Sequence, residues 1–271
     1  MNPGSQGDDP EWRKNFRPDI PSVARIYDYL LGGKDNYPAD RTAAERLLAA
    51  VPDAREIARE NRAFLKRAVR YLVRECAVRQ IIDIGTGIPA EGNVIDVALD
   101  AAPGTRVVCV DFDPVVLAHG RDLLHGVENA VIVDHDLRRP EELVRDPELR
   151  SLIDFRAPVA VLLAAVMHFV ADEDDPAGII RRLLEPFPPG SYVALSHATT
   201  DSRPESVKGE RVFDEANVAI HARGHGEILA WLAGLDLVPP GMVWAPLWRP
   251  DAPPPADPGR SHVYAGIARK P

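Results

Sequence analysis

Three acidic side chains stand where three short apolar runs give way to loops. Asp83 lies in Ile81-Ile82-Asp83-Ile84-Gly85-Thr86-Gly87, Asp111 in Val107-Val108-Cys109-Val110-Asp111-Phe112-Asp113-Pro114, and Asp136 in Val131-Ile132-Val133-Asp134-His135-Asp136-Leu137. If each run is a strand of one parallel sheet, the three tips meet at its carboxyl edge, where open α/β sheets bind ligands. Gly85 and Gly87 let the backbone approach a ligand and adopt turns closed to other residues. Asp83, just before them, is placed to orient the loop or to meet a cationic group. Asp111 is placed to accept from both hydroxyls of a ribose. Asp113 suits the cap of the helix that Pro114 begins. Asp136 can accept from an exocyclic amine such as that of adenine, with Leu137 packed on the ring. Each residue also has a structural alternative: a tight turn for the glycines, a strand end for Asp111.

The elements that must position these residues follow from the apolar pattern. Strands are expected at Gln80–Ile84, Thr105–Val110, Ala130–Val133, Pro158–Ala164 and Tyr192–Leu195. The fourth of these is continuously apolar, as a strand covered on both faces would be. Further strands are expected at Leu237-Val238, Met242–Trp244 and His262–Ala268, with Pro250–Pro258 as a loop between the last two. Helices are expected at Asn93–Leu99, from Pro114 through Leu123, at Ala177–Leu184 and in a block from about Glu205 to Leu235, with Pro89 in the first turn of the Asn93 helix. Before the first strand the chain reads as helical. Ser22 caps one helix that Gly32-Gly33 stops, Asp40 caps a second ending near Pro52, and a third runs from about Asp53 to Cys76. Alternating strands and helices imply a mostly parallel sheet in a three-layer sandwich. The division is then a disordered arm over 1–18, a helical cap over 19–76 and the α/β core over 77–271.

Composition narrows the classes. The chain has 271 residues, 45% of them hydrophobic and 27% charged, and a formal net charge of −9. That length buries a core without staples. The acidic balance argues against nucleic acid as the main partner. Cys76 and Cys109 supply neither a disulfide framework nor a four-thiolate metal site, and a reduced, cytoplasmic setting is the default expectation. No apolar run approaches the length needed to span a bilayer, and the first residues have no signal-peptide core.

The series IIDIGTGIP, VVCVDFDP and VIVDHDLRRP resembles the first three motifs of class I S-adenosylmethionine-dependent methyltransferases. With PSVARIYDYLLGGKDNYPADR, ENRAFLKRAVRYL, DIGTGIPAEGNV, LLAAVMHFV and GSYVALSHAT, the sequence from about Ile20 to Arg269 is similar to the actinobacterial S-adenosyl methyltransferase family once catalogued as a domain of unknown function. The resemblance implies a Rossmann-like α/β fold with a seven-stranded sheet whose last strand, HVYAGIAR, is antiparallel. It implies that Asp83, Gly85, Thr86 and Gly87 line the methionine part of S-adenosyl-L-methionine, that Asp111 holds the ribose, and that Asp136 and Leu137 frame the adenine, with Phe112 against its face. Ala165, followed by Met167 and His168, takes the position that faces the transferred methyl. The third glycine common in the first motif is Pro89 here, as in the family pattern.

Two rival classes read the same residues. Gly85-x-Gly87-x-x-Ala90 meets the loose dinucleotide fingerprint of a nicotinamide-dependent oxidoreductase. Against that stand Asp83 beside an anionic pyrophosphate, Pro89 removing an amide donor, and about eighty residues of helix before the fingerprint. A protein that binds S-adenosylmethionine without using it is the other rival. In-line methyl transfer rests mainly on positioning, and a base is needed only where the acceptor must lose a proton. His168 and His197, each just past a strand end, are the candidate bases. Tyr37, in the Gly-flanked turn Asp35-Asn36-Tyr37, joins His168 as a candidate for the chemistry, and Arg25, Tyr27 and Arg62 as possible ligand contacts. The structural alternatives are a satisfied core histidine, an apolar helix face for Tyr27 and a solvated helix residue for Arg62. Asp172–Asp175 reads as a helix cap in solvent, not as a metal site. Trp231, Trp244 and Trp248 read as core or rim aromatics. The expected activity is methyl transfer from S-adenosylmethionine to a small-molecule acceptor, with no nucleic acid, membrane or metal involved; acceptor and oligomeric state are not legible.

Overall fold

The computed structural model describes residues 17–90, 92–202 and 219–271. The proposed arm therefore lies almost wholly outside the described residues, as does the first part of the helical block expected from Glu205. In chain order the elements begin with α1 (Val23–Leu31), α2 (Pro38–Ala50), α3 (Ala54–Arg74), β1 (Gln80–Ile84), α4 (Val94–Ala101), β2 (Arg106–Asp111), α5 (Pro114–Leu123) and β3 (Ala130–Asp134). They continue with α6 (Pro140–Leu143), α7 (Pro147–Leu152), β4 (Ala160–Ala164), α8 (Pro176–Leu184), β5 (Tyr192–Ala198), α9 (His225–Ala230), β6 (Asp236–Leu237), β7 (Val243–Trp244) and β8 (Val263–Arg269).

The sheet order is β3-β2-β1-β4-β5-β8-β6, with β7 also on β8. β1 to β5 are parallel and β8 is antiparallel to β5. Among the described residues the sheet thus has eight strands, as the apolar runs imply, rather than the seven that the resemblance implies. The extra one arises because the edge partner of β8 is broken: Leu237 pairs with Ala268 and Val243 with Ala265, and the intervening Pro239, Pro240 and Gly241 carry the chain off the sheet. A proline has no N–H to donate to a ladder, so Pro239-Pro240 interrupts the pairing.

Alternation along the strands divides the core. Ile81, Val107, Cys109, Ile132, Leu162 and Ala194 pack against α3, α4 and α5. Ile82, Val108, Val110, Val161, Leu163 and Val193 face α7, α8 and α9 on the other side. A smaller cluster of Ile26, Leu30, Ala44, Leu47 and Ala58 joins α1, α2 and the start of α3. α3 serves both: its first turns belong to that cluster, and Phe64, Ala68, Val69 and Leu72 belong to the sheet's core.

Helix ends follow the side chains available. Ser22 caps α1, Gly32 ends it at φ 86°, and Asp113 and Asp175 cap α5 and α8 before their prolines. Two boundaries differ from expectation. α2 begins at Pro38, so Asp40 lies in its first turn and reaches back to the Tyr37 and Ser22 amides instead of capping. α4 begins at Val94 behind the Asn93 cap, leaving Pro89 in the preceding loop.

Trp248 closes the far end of the sandwich. It is fully buried, lies edge-on to Phe64 and Tyr71, and its carbonyl accepts from Arg67 Nε at 2.9 Å. Emptying such a site removes packing that neighbouring rings cannot replace. Trp248→Ala is expected to cost about 3–5 kcal/mol in urea unfolding. Trp248→Phe keeps ring-edge contacts and removes an indole N–H that has no partner, and is expected to cost less than half as much.

Candidate functional site

The sheet order reverses between β1 and β4, and the loops after β1, β2 and β3 rise on one side of that switch point. Gly85 and Thr86 both donate their amides to the Val110 carbonyl, at 2.8 and 3.1 Å, which folds the first loop back over β2. Gly85 and Gly87 have φ of 70° and 68°, the left-handed region where a side chain is strained. A Cβ at Gly85 would meet Val166 Cγ2 at 2.7 Å, so that glycine is required by the loop after β4. At Gly87 nothing of the protein lies within 4 Å of the added carbon, and the backbone there borders open space.

The first two acids support this loop. Asp83 is buried and accepts from Thr86 Oγ at 2.7 Å. Burial pushes its carboxyl up to about 6, against the Thr86 hydrogen bond and the Arg62 charge. Asp111 takes the Gly87 amide at 3.0 Å on one oxygen and the Phe112 and Asp113 amides at 2.8 and 3.0 Å on the other. Burial likewise lifts it to about 6, against these amide bonds. Of the roughly four acceptor positions on a carboxylate, three are taken, which leaves room for one hydroxyl where both were expected. Asp136 is gripped by Arg138, with Nε at 3.0 Å and Nη2 at 2.5 Å. Burial raises Asp136, but the Arg138 hydrogen bonds and charge prevail and hold it below the usual carboxylate range. Leu137 packs into the core cluster of β3 and α7, and Phe112 is the most exposed of the large apolar side chains among the described residues.

Beyond β4 the chain turns sharply. Ala165 sits at φ 54° and donates its amide to Ser196 Oγ at 2.9 Å. A helical turn at Met167–Phe169 carries His168 into a polar cluster. Arg223 fills the centre: its guanidinium donates to Asp172 at 2.6 Å, the Val170 carbonyl at 2.8 Å and His197 Nε2 at 3.3 Å, over the face of Trp231. His197 Nδ1 donates to the Ala198 carbonyl at 2.6 Å. With one nitrogen donating to a carbonyl and the other accepting from an arginine, His197 is held neutral and has no free lone pair, which removes it as a base. Burial, then the Ala198 bond working against it, then Arg223 and His221, set its titration at about 4. His168 is likewise held well below its ordinary value by burial, His197, Arg223 and His221. Its Nδ1 receives the Ala198 amide at 3.5 Å, so in this tautomer the proton rests on Nε2.

The cap residues divide differently from the sequence reading. Arg25 is not a ligand contact: it is buried, paired with Asp40 at 3.2 Å and bonded to the Ile20 carbonyl at 2.5 Å. Tyr27 donates to the Ala58 carbonyl at 2.9 Å and accepts from Asn61 at 3.0 Å. Asn36 donates to Asp28 at 2.8 Å, and Asp28 fills the place a Cβ at Gly33 would need. The Gly-Gly-Lys-Asp-Asn segment is therefore a turn wrapped around one carboxylate. Tyr37 is partly exposed beside the Arg25 guanidinium. Arg62 lines a cavity of about 20 Å³ with Asp83, Thr86 and Asn93, room for one water.

Sequence reasoning passed over Ser196, Asn61 and Arg223. Ser196 follows the buried apolar run Val193–Leu195, and Asn61 is polar on the buried face of α3, so both carried a signal. Arg223 lies in an irregular segment and carried none.

An open α/β sheet of order 3-2-1-4-5 with an antiparallel strand beyond, and carboxylates on its first two loops, defines a class I, Rossmann-like methyltransferase. The family model for S-adenosyl methyltransferases matches residues 11–271, and the chain belongs to that family. A solved DUF574 family protein from Streptomyces avermitilis is 40% identical, with 94% of this chain and 100% of that one covered and a TM-score of 0.88. A solved protein described as a methyltransferase from Thermobifida fusca is 38% identical over 93% of this chain and 96% of its own, also at 0.88. A ubiquinone biosynthesis O-methyltransferase of Marinobacter nauticus is 30% identical over 130 residues, so this chain spans about half the length of that curated relative.

The residues present fit S-adenosylmethionine. Open space borders Gly87, one acceptor position remains on Asp111, and a buried Arg62 nitrogen has no partner. The raised Asp83 also yields a stability signature. A carboxyl lifted to about 6 binds its proton in the folded state before it does so in the unfolded one, so its contribution to stability falls as pH rises from about 4 to 6. The depressed histidines act in the opposite sense in the same window, and whole-protein melts blend the two. The difference between Asp83→Asn and wild type isolates the carboxylate. Unfolding of the free protein should show the variant gaining relative stability from pH 4 to 6 and levelling above it, by up to about 3 kcal/mol for a two-unit shift.

Proposed function

We propose that this protein transfers the methyl group of S-adenosylmethionine to a small-molecule acceptor in the cytoplasm, with the nucleoside over the Gly85–Gly87 turn. The observation that carries the reading is the join between the first two loops: Asp111 takes the Gly87 amide and keeps one acceptor position, beside backbone that borders open space. In this reading Asp111 takes a ribose hydroxyl, Phe112 lies on the adenine, and Asp136 and Leu137 border its far edge. Asp83 holds Thr86 and the turn below the methionine part. Residues 19–76 act as the cap on the 77–271 core.

When bound, S-adenosylmethionine supplies an electrophilic methyl on a sulfonium sulfur. What the chain adds is placement and proton handling. Ala165, pinned by Ser196, sets the backbone of the loop beside the transferred group. His168 presents Nε2–H in its resting tautomer, which orients an acceptor oxygen or nitrogen. To remove the acceptor's proton it exchanges tautomers, losing only the long contact to the Ala198 amide. Tyr37, on the cap, is the second side chain assigned to the acceptor.

Two tests follow. In calorimetry the wild type should bind S-adenosylmethionine and S-adenosylhomocysteine, with about 2.7 kcal/mol of stabilisation at a hundredfold excess over Kd. Gly87→Ala should fold yet lose roughly tenfold or more in affinity, because the added carbon enters the ligand's space; unchanged affinity, or binding of NADH instead, overturns the reading. With an acceptor in hand, His168→Asn should lower kcat by about 100-fold while KM for S-adenosylmethionine stays put. Because His168 titrates far below its ordinary range, wild-type kcat should be flat above pH 6.5 on its account.

A further inference from the structure

Arg223 grips the chain that carries His168 from several directions. Its Nη2 donates to the Val170 carbonyl and to Asp172, at 2.8 and 2.6 Å, just beyond the turn at Met167–Phe169. Its Nη1 donates to the His221 carbonyl at 3.2 Å, and the His221 amide donates to the His168 carbonyl at 2.7 Å. Nη1 also reaches His197 Nε2 at 3.3 Å, while the Arg223 amide donates to the Ala198 carbonyl at 3.3 Å. Trp231 packs against both the guanidinium and the His197 ring, which keeps the two in register.

The polarity of these bonds cannot be reversed. A guanidinium stays protonated in proteins and offers donors only. The nitrogen facing it, His197 Nε2, must therefore accept, which leaves the His197 proton on Nδ1 for the Ala198 carbonyl at 2.6 Å. Ala198 in turn directs its amide, also a donor only, at His168 Nδ1 over 3.5 Å. That nitrogen must accept as well, and the His168 proton is left on Nε2.

We infer that Arg223 is a positioning residue that sets the proton of His168 on Nε2, through His197 and Ala198, so that the ring meets the methyl acceptor as a hydrogen-bond donor. The inference rests on the proposed meeting of His168 with the acceptor and deepens it. A ring fixed in this way selects acceptors that present a lone pair to it, an oxygen or an unprotonated nitrogen. It disfavours an ammonium group, because two donors facing each other leave both unpaired. Arg223 acts through its neighbours and not on the acceptor.

The test reads the ring protons directly, by nitrogen-15 NMR of histidine-labelled protein at neutral pH, with and without S-adenosylhomocysteine. Spectra of His168→Asn and His197→Asn assign the two rings. The wild type should show His197 on Nδ1 by at least about tenfold over the other tautomer, and His168 on Nε2 by about threefold or more, given a charged donor at the first ring and a neutral one at the second. In Arg223→Met, which keeps the aliphatic stem, His197 should lose that bias and His168 should move with it. Arg223→Lys, still a donor only, should keep His197 on Nδ1. Circular dichroism, together with S-adenosylhomocysteine affinity within about threefold of wild type, checks that each variant retains its fold and cofactor site. Should the Met variant fail to fold, the wild-type and Lys spectra still decide. His168 protonated on Nδ1 in the wild type, unchanged tautomers in Arg223→Met, or equal loss in the Lys and Met variants overturns the assignment while leaving the cofactor reading intact. Wild-type spectra as expected with no binding of S-adenosylhomocysteine overturn the cofactor reading and leave Arg223 as the residue that holds these tautomers.

Discussion

One buried chain of hydrogen bonds ties the layers of this molecule together. The Ala165 amide donates to Ser196 Oγ, Ser196 donates to Asn61 Oδ1 at 2.5 Å, Asn61 donates to the Tyr27 hydroxyl, and Tyr27 donates to the Ala58 carbonyl. The direction never reverses along the chain, and the Ala165 amide is shared with the Ser196 carbonyl at 3.2 Å, so turning Ser196 or Asn61 leaves a buried polar group bare. The chain crosses from the loop after β4 through β5 into α3 and on to α1. It fixes Ala165 in a backbone conformation that an alanine does not choose by itself. The loop after β4 is thereby joined to α3 and α1.

A second tie acts at the loop after β2. Ser22 Oγ donates to Asp113 Oδ2 at 2.5 Å, while the other Asp113 oxygen caps α5 through the Val115 amide. The residue that starts α1 thus bonds to the residue that starts α5, two positions from Asp111. Through these two ties α1 and α3 reach the loops after β2 and β4, on both sides of the switch point. Stability and site geometry are then the same constraint: packing of α1 and α2 on α3 sets where the loop backbones lie. Carboxylates raised by burial are the cost of gathering Asp83 and Asp111 under one turn, offset by the amides and the hydroxyl they hold.

Much of this was legible from residue types. The alternation of apolar runs located every strand of the parallel sheet, because covered strands must be apolar and must end where polar loops begin. The helix caps Ser22, Asp113 and Asp175 announced themselves by their short oxygen-bearing side chains. Other features were hidden. Asp40 looked like a cap and proved to be an anchor for Arg25, because a carboxylate three residues inside a helix can reach back over the preceding turn. Tyr27 looked available to a ligand and is spent on the protein.

By itself the sequence determined the periodicities, the turn residues and the acidic side chains at three strand ends, all local properties that neighbouring atoms along the chain decide. From these came the layered α/β architecture and the class of ligand. Only the tertiary structure decided how many acceptor positions remain on Asp111, that His197 is locked between a carbonyl and Arg223 while His168 is not, and that one buried nitrogen of Arg62 has no hydrogen-bond partner among the described residues. Those outcomes depend on which groups distant segments bring within 3 Å of one another, and a hydrogen bond made across 135 positions of chain, as between Ser196 and Asn61, leaves no mark in the local pattern of either.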